Sequence, residues 1–262
     1  MQITGNTILI TGGTSGIGLE LARQLLALEN TVIVTGRNQQ TIDTVIAANP
    51  GLYGFQSDVS NPDAIVALYE RVVAKFPALN CLVNNAGIQQ QINLQAPACG
   101  LSGIASEIEI NLMGPIRLTI QFLPHLKKQT RATIVNVSSG LAFLPLPVSP
   151  VYCATKAALH SFTMSLRMQL KRTRVEVFEL VPPLTGTPMT RTAFEPKELK
   201  GQPIMPVDKL ARLAIRGLER GHLEIRPGMS KIMKLTSRLS SNAMLAKMVG
   251  SSVDAMLDAT PA

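Results

Sequence analysis

The chain has 262 residues, enough to bury a full core as one domain. Hydrophobic residues make up 46% and charged residues 16%, which excludes a disordered chain, and no apolar run approaches the roughly 20 residues that cross a bilayer. The formal net charge of +8 comes with basic residues spaced from Lys197 through Arg226 to Lys247 and no aromatic interleaving, so nucleic acid is not an expected partner. Two explanations of the charge stay open: attraction to a smaller anion such as a cofactor phosphate, or an unspecialised basic surface.

In chain order, Thr7–Thr11 reads as a buried strand, and Leu21, Leu25 and Leu28 set a helical spacing over 17–28. A second strand is expected at Thr31–Thr35 and a second helix over 40–48, closed by Asn49-Pro50-Gly51. A third strand over 53–57 leads to Asp58, and Ser60 or Asn61 can cap a helix over 62–75. Further strands are expected at 79–83, 133–137 and 175–181. Short apolar strands separated by amphipathic helices predict an α/β fold: a single-domain, doubly wound parallel sheet with helices on both faces. No repeat and no Gly/Ser/Pro linker divides the chain. The N-terminus lacks the charged segment of a signal peptide, and Cys81, Cys99 and Cys153 form neither a disulfide framework nor a zinc spacing, so a cytoplasmic location is expected. His125, His160 and His222 are too dispersed to suggest a metal.

The segment Thr11-Gly12-Gly13-Thr14-Ser15-Gly16-Ile17-Gly18 lies between the first strand and first helix. Its glycines permit a tight turn and close approach of backbone amides to a pyrophosphate, although an ordinary strand–helix turn would also use them. The same chain carries NNAG (84–87), Asn111 within INLMG, the pair Ser138-Ser139, and YCATK (152–156), in that order. Together these resemble the short-chain dehydrogenase/reductase family over residues 1 to about 190. Within it, the opening GNTILITGGTSGIG is similar to that of bacterial DltE-like oxidoreductases.

The resemblance implies a dinucleotide cofactor. It sets Gly12, Thr14, Ser15, Gly16, Ile17 and Gly18 along the diphosphate and adenosine, Asp58 and Val59 at the adenine, and Asn85, Ala86 and Gly87 at the adenosine ribose. Asn84 has a structural alternative, tying neighbouring strands together. An NAD enzyme needs a carboxylate after the second strand to bond the ribose 2′-hydroxyl. Here Gly36 stands at that place, followed by Arg37, which can bond a 2′-phosphate or can simply be a solvated surface arginine. NADP(H) is the expected cofactor, with NAD(H) the alternative.

Hydride transfer to a carbonyl leaves charge on oxygen, so a proton donor and oriented hydrogen bonds are needed. Tyr152 is the candidate donor. Lys156 lies one helical turn on, where its charge is expected to favour the phenolate and lower the phenol pKa. By the resemblance, Lys156 also bonds the nicotinamide ribose, Ser139 holds the substrate oxygen (Ser138 being the alternative), and Asn111 bends a helix and holds a water in a proton relay. Cys153 has no base at a recognised spacing and reads as a packing residue.

Where the family has Pro-Gly after the sixth strand, this chain has Pro182-Pro183, which removes a backbone donor; Thr185 and Thr187 remain candidates for the carboxamide. The loop 140–148 is apolar, which suits a partly apolar substrate, core packing or a subunit contact. Residues 189–201 are expected to cover the site. Residues 229–257 form a Met-rich, basic helical extension, read as core packing, with a substrate-covering, subunit-binding or membrane-surface role as alternatives. The helix bearing Tyr152 is apolar over more than one face, and a homodimer or homotetramer is expected. The activity implied is carbonyl/secondary-alcohol interconversion; an epimerase or dehydratase relative, or a non-catalytic cofactor-binding sensor or scaffold, is the alternative.

Overall fold

The computed structural model describes residues 2–95 and 101–237. Seven strands, β1 (Thr7–Thr11), β2 (Thr31–Gly36), β3 (Leu52–Gln56), β4 (Leu79–Asn84), β5 (Ala132–Val137), β6 (Val175–Leu180) and β7 (Glu224–Ile225), form one sheet in the order β3-β2-β1-β4-β5-β6-β7. Every pairing is parallel. The expected doubly wound sheet is therefore present, with β3 one residue earlier than its pattern suggested and β7 added at the edge.

The pleat sends alternate side chains to opposite faces. Ile8 and Ile10 join one apolar layer with Leu21 and Leu25 of α1 (Gly16–Leu26) and Leu210, Ala214 and Leu218 of α9 (Val207–Glu219). Leu9 joins the other, with Leu68 and Val72 of α3 (Pro62–Lys75), Leu118 and Phe122 of α5 (Gly114–Leu126), and Leu166 of α6 (Pro150–Gln169). The N-terminus of α2 (Gln39–Ala48) is capped by the Asn38 side chain, which accepts from Thr41 N at 2.9 Å. Asn61 caps α3 in the same way, with Pro62 at the first helical position. Between α4 (Leu101–Ile108) and α5 the helix widens into a π-helical turn at Glu109–Met113, so the interruption expected at Asn111 is present.

After β6 the chain forms two short helices, α7 (Pro188–Ala193) and α8 (Pro196–Leu199), then α9, β7 and α10 (Met229–Thr236). The part of the 229–257 extension beyond residue 237, and Cys99, lie outside the described residues. Among the described residues, no helix is long and apolar enough to cross a membrane.

Candidate active site

The strand order reverses between β1 and β4, and the crevice above such a switch point is where open α/β sheets bind ligands. Here a cleft of about 520 Å³ runs across the sheet. At its floor, Thr11 Oγ1 accepts from Asn85 N at 3.0 Å and Ala86 N at 3.1 Å, while Asn85 Nδ2 donates to Thr11 O and Gly12 O. These bonds draw the ends of β1 and β4 together. Gly12 has φ +63° and a Cβ there would sit 2.8 Å from Ala86 Cα; Gly16 has φ +53°. Both conformations favour glycine, and they leave the amides of a helix start uncovered beside the cleft, because Ser15 makes no side-chain cap. This cradle fits a dinucleotide diphosphate.

Of the residues expected along the cofactor, Gly12, Thr14, Ser15, Gly16, Ile17, Arg37, Asp58, Val59, Asn85, Ala86, Gly87, Thr185 and Thr187 line the cleft. Gly18 sits behind it, where a Cβ would collide with the Asn85 amide, so its place is in close helix–strand packing. Asp58 Oδ1 accepts from Ser60 N and Oγ at 2.9 and 2.7 Å, which fixes the carboxylate. A Cβ on Gly36 would meet Thr14 Cγ2 at 2.9 Å, so Thr14 fills the space from which an acidic side chain would start. Arg37 is exposed beside it. Asn84 does tie strands: its Nδ2 donates to Asn136 Oδ1 at 2.8 Å, and Asn136 donates to Thr163 on α6 at 2.9 Å.

At the inner end, Tyr152 and Lys156 lie one turn apart on α6, 8% and 4% exposed. Ser139, at the end of β5, shares a hydrogen bond with Tyr152 and accepts from Leu141 N at 3.2 Å. Lys156 Nζ donates to Val137 O at 3.0 Å and stands 5.6 Å from the Tyr152 ring centroid. The lowered phenol pKa expected from Lys156 is corrected here: burial pushes the Tyr152 phenol above its usual value, and the Ser139 bond only opposes this. Burial likewise pushes the Lys156 ammonium down to about 8, with the Glu179 charge pulling it back up. Desolvation therefore favours the neutral form of both partners.

Asn111 is fully buried behind the cleft. Its amide donates to Ile88 O at 2.8 Å and Thr155 Oγ1 at 3.3 Å, and accepts from Ile88 N at 2.9 Å. It thereby joins the loop after β4 to α6. Asn111 Oδ1 and Lys156 Nζ both border the point where a Gly87 side chain would project, at 3.1 and 3.6 Å. Thr185 Oγ1 donates to Pro183 O at 2.8 Å, and Thr187 caps α7 by accepting from Thr190 N at 3.3 Å. Cys153 is buried, its thiol pushed up to about 11 by burial, and it accepts from Leu146 N, consistent with a packing role.

The cleft also has apolar lining, with Leu141 and Leu146 from the serine loop, Met189 of α7, Phe194 just after it, and Met229 and Met233 from α10. For the segment holding these two methionines core packing was the favoured expectation and a substrate-covering role an alternative; both side chains line the cleft. α8 is joined to the loop after β4 where Gln91 Nε2 donates to Glu198 at 3.0 Å. Also unforeseen was a buried cluster beneath the serine loop. Ser138 Oγ donates to Glu179 Oε1 at 2.5 Å, and His160 Nδ1 lies 2.7 Å from Glu179 Oε2.

The short chain dehydrogenase family model matches residues 6–198. The chain is 45% identical over 225 residues to the "uncharacterized oxidoreductase DltE" of Bacillus subtilis, covering 86% of this chain and 89% of that protein. It is 26% identical over 239 residues to a fatty acyl-CoA reductase of Acinetobacter baylyi, covering 90% and 80%. Among solved structures, a short chain dehydrogenase from Burkholderia cenocepacia in complex with NADP superposes with a TM-score of 0.81 at 26% identity, over 95% of this chain and 99% of that one. A 3-ketoacyl-(acyl-carrier-protein) reductase from Brucella melitensis complexed with NADH gives 0.79 at 26% identity, over 87% and 100%. A cleft at the strand-order switch, the glycine cradle and the Ser139–Tyr152–Lys156 cluster thus accompany a match over most of the chain: the protein belongs to the short-chain dehydrogenase family.

Proposed function

We propose that the protein is an NADP(H)-dependent oxidoreductase that interconverts a carbonyl and a secondary alcohol on a partly apolar substrate, as a homodimer or homotetramer. The observation that carries this reading is that Ser139, Tyr152 and Lys156 line the same cleft as the glycine cradle and the apolar side chains of Leu141, Leu146, Met229 and Met233. When bound, the nicotinamide supplies or accepts the hydride. Ser139 Oγ and the Tyr152 hydroxyl hold the substrate oxygen; in reduction Tyr152 gives its phenolic proton to that oxygen, and in oxidation it takes one back. Lys156, its Nζ set by the Val137 carbonyl, would hold the cofactor ribose. Asn111 positions the backbone through Ile88. Thr185 and Thr187, which line the cleft, would hold the carboxamide.

The preference for the phosphorylated cofactor rests on Gly36, Thr14 and Arg37, because relatives holding NADP and NADH are both at hand. The room for an acidic side chain is occupied by Thr14, and an exposed arginine stands beside it to bond a 2′-phosphate. The apolar wall of methionines and leucines supports the apolar substrate, in keeping with the fatty acyl-CoA reductase among the relatives.

The test combines binding and turnover. Calorimetric titration is expected to show NADPH bound more tightly than NADH, and Arg37→Ala to lose about tenfold or more of that preference, the scale of a charged hydrogen bond. On a carbonyl substrate found by library screening, Tyr152→Phe is expected to bind NADPH normally and lose roughly 10²-fold or more in turnover. Equal affinity for the two cofactors defeats the cofactor assignment. Parental turnover by Tyr152→Phe defeats the mechanism and revives a non-catalytic binding role.

A further inference from the structure

Glu179 is wholly buried on β6, where Val175 and Val177 at alternate positions join an apolar layer, and a carboxylate there must be held by donors or lose its charge. It has two: the Ser138 hydroxyl at 2.5 Å on Oε1 and the His160 ring at 2.7 Å on Oε2. His160 is itself fixed by the edge-to-face contact of Phe143, 4.9 Å between centroids, from the loop that follows Ser139. Each neighbour of Glu179 also belongs to the proposed chemical centre or adjoins it. Ser138 lies between Val137, whose carbonyl takes the Lys156 bond, and Ser139, which meets Tyr152. His160 lies one turn beyond Lys156 on α6.

The other charged groups facing this cluster are accounted for. Glu224 is the register partner of Glu179 on β7, and it is paired with Lys234 of α10 and with Arg226. Arg167 of α6 donates to Val177 O and Leu223 O. Glu107 of α4, also wholly buried, accepts from Gln90 N and acts on Tyr152 and Cys153; of the two buried carboxylates, Glu179 is the one whose charge opposes the downward push of burial on the Lys156 ammonium.

We propose that Glu179, clamped by Ser138 and His160, is a positioning residue for the reaction: it is the buried counter-charge that keeps Lys156 protonated, and it pins the β5 backbone from which Ser139 projects. The inference rests on the oxidoreductase reading for its catalytic consequence but not for its physical one. A carboxylate held by two donors keeps its charge; a buried ammonium near that charge keeps its proton to higher pH. Loss of the carboxylate charge, or of both donors, leaves Lys156 facing desolvation alone.

The direct test is the titration of Lys156 itself, read by NMR of lysine side chains in the full-length protein, with Lys156→Arg used to assign the signal. In Glu179→Gln the Lys156 midpoint is expected to fall by about one pH unit or more, while Glu179→Asp, which restores a charge, returns it most of the way. A second variant, Ser138→Ala/His160→Asn, strips the carboxylate of both donors and favours its neutral form, so it should move Lys156 in the same direction even if Glu179→Gln does not fold. An unchanged Lys156 midpoint in either folded variant overturns the proposal. The alkaline limb of kcat/KM should shift acid-ward by the same amount, with cofactor affinity at pH 6 nearly parental; an unshifted limb removes the catalytic role. If the parent turns over no carbonyl or alcohol, it is the oxidoreductase reading that fails, and the Lys156 titration still decides the role of Glu179.

Discussion

Lys156 shows what a single side chain costs when chemistry requires its burial. Its folded pKa of about 8 lies below the ordinary 10.5, so between those values the unfolded chain binds a proton that the folded protein has released. Stability contributed at this position therefore rises with pH through that window, and the cost of the buried ammonium is fully present below about pH 8. Lys156→Met is expected to raise Tm at pH 7 by several degrees, at about 2–4 °C per kcal/mol for a chain of this size, and the gain should shrink toward pH 10. Thermal melts of the cofactor-free protein at both pH values check this; a gain that does not change with pH contradicts it. Tyr152 and Lys156 could be picked out as a pair one turn apart, and Ser139 through the family resemblance; the structure brings the three together. The raised phenol was not legible, since it depends on how deeply α6 is buried, which no spacing of four residues records. Glu179 and His160 were missed for a related reason: they meet only because β6 lies beside β5, under α6.

At the scale of elements, the strands that bury both faces were readable as continuous apolar runs, and six of the seven fell within a residue of their pattern. The seventh, β7, has two residues and one buried side chain, too short to make a pattern. The cap residue Asn61 and the Asn49-Pro50-Gly51 turn marked helix boundaries correctly because they act locally. The π-helical turn is different: it is held by Asn111 bonding the Ile88 backbone, a contact between distant segments. It also sets where α5 begins. A Cβ on Gly114 would lie 3.0 Å from Val59 O and 3.2 Å from Val59 Cβ, so the start of α5 is pressed against the wall expected to hold adenine. Gly114→Ala is expected to cost about 1–3 kcal/mol by overpacking and to weaken NADPH binding several-fold, since Val59 must give way. Chemical denaturation and cofactor titration measure the two effects; unchanged values in both would show that Val59 moves freely.

On the scale of the whole molecule, the surface of α5 and α6 stands out. Ile120 on α5 is 66% exposed, and Met164 and Met168, one turn apart on α6, are 44% and 63% exposed. Light scattering at micromolar concentration is expected to give the mass of a dimer or tetramer, and Ile120→Lys/Met168→Glu to shift it toward the monomer. A monomeric parent would refute the assembly. The topology of the sheet has a consequence for how the chain acquires its structure. The central pair is β1 with β4, and Thr7 aligns with Leu79, so the middle of the sheet closes only after β2, β3 and their helices have been made. Until then one edge of β1, an unbroken run of Ile8, Leu9 and Ile10, has unpaired amides and carbonyls, as open strand edges do when they promote association between chains. Closing so long a loop before its contacts form raises the kinetic barrier. The same crossover that creates the ligand crevice thus makes refolding slow and concentration-sensitive, with the nascent chain most vulnerable just before β4 emerges.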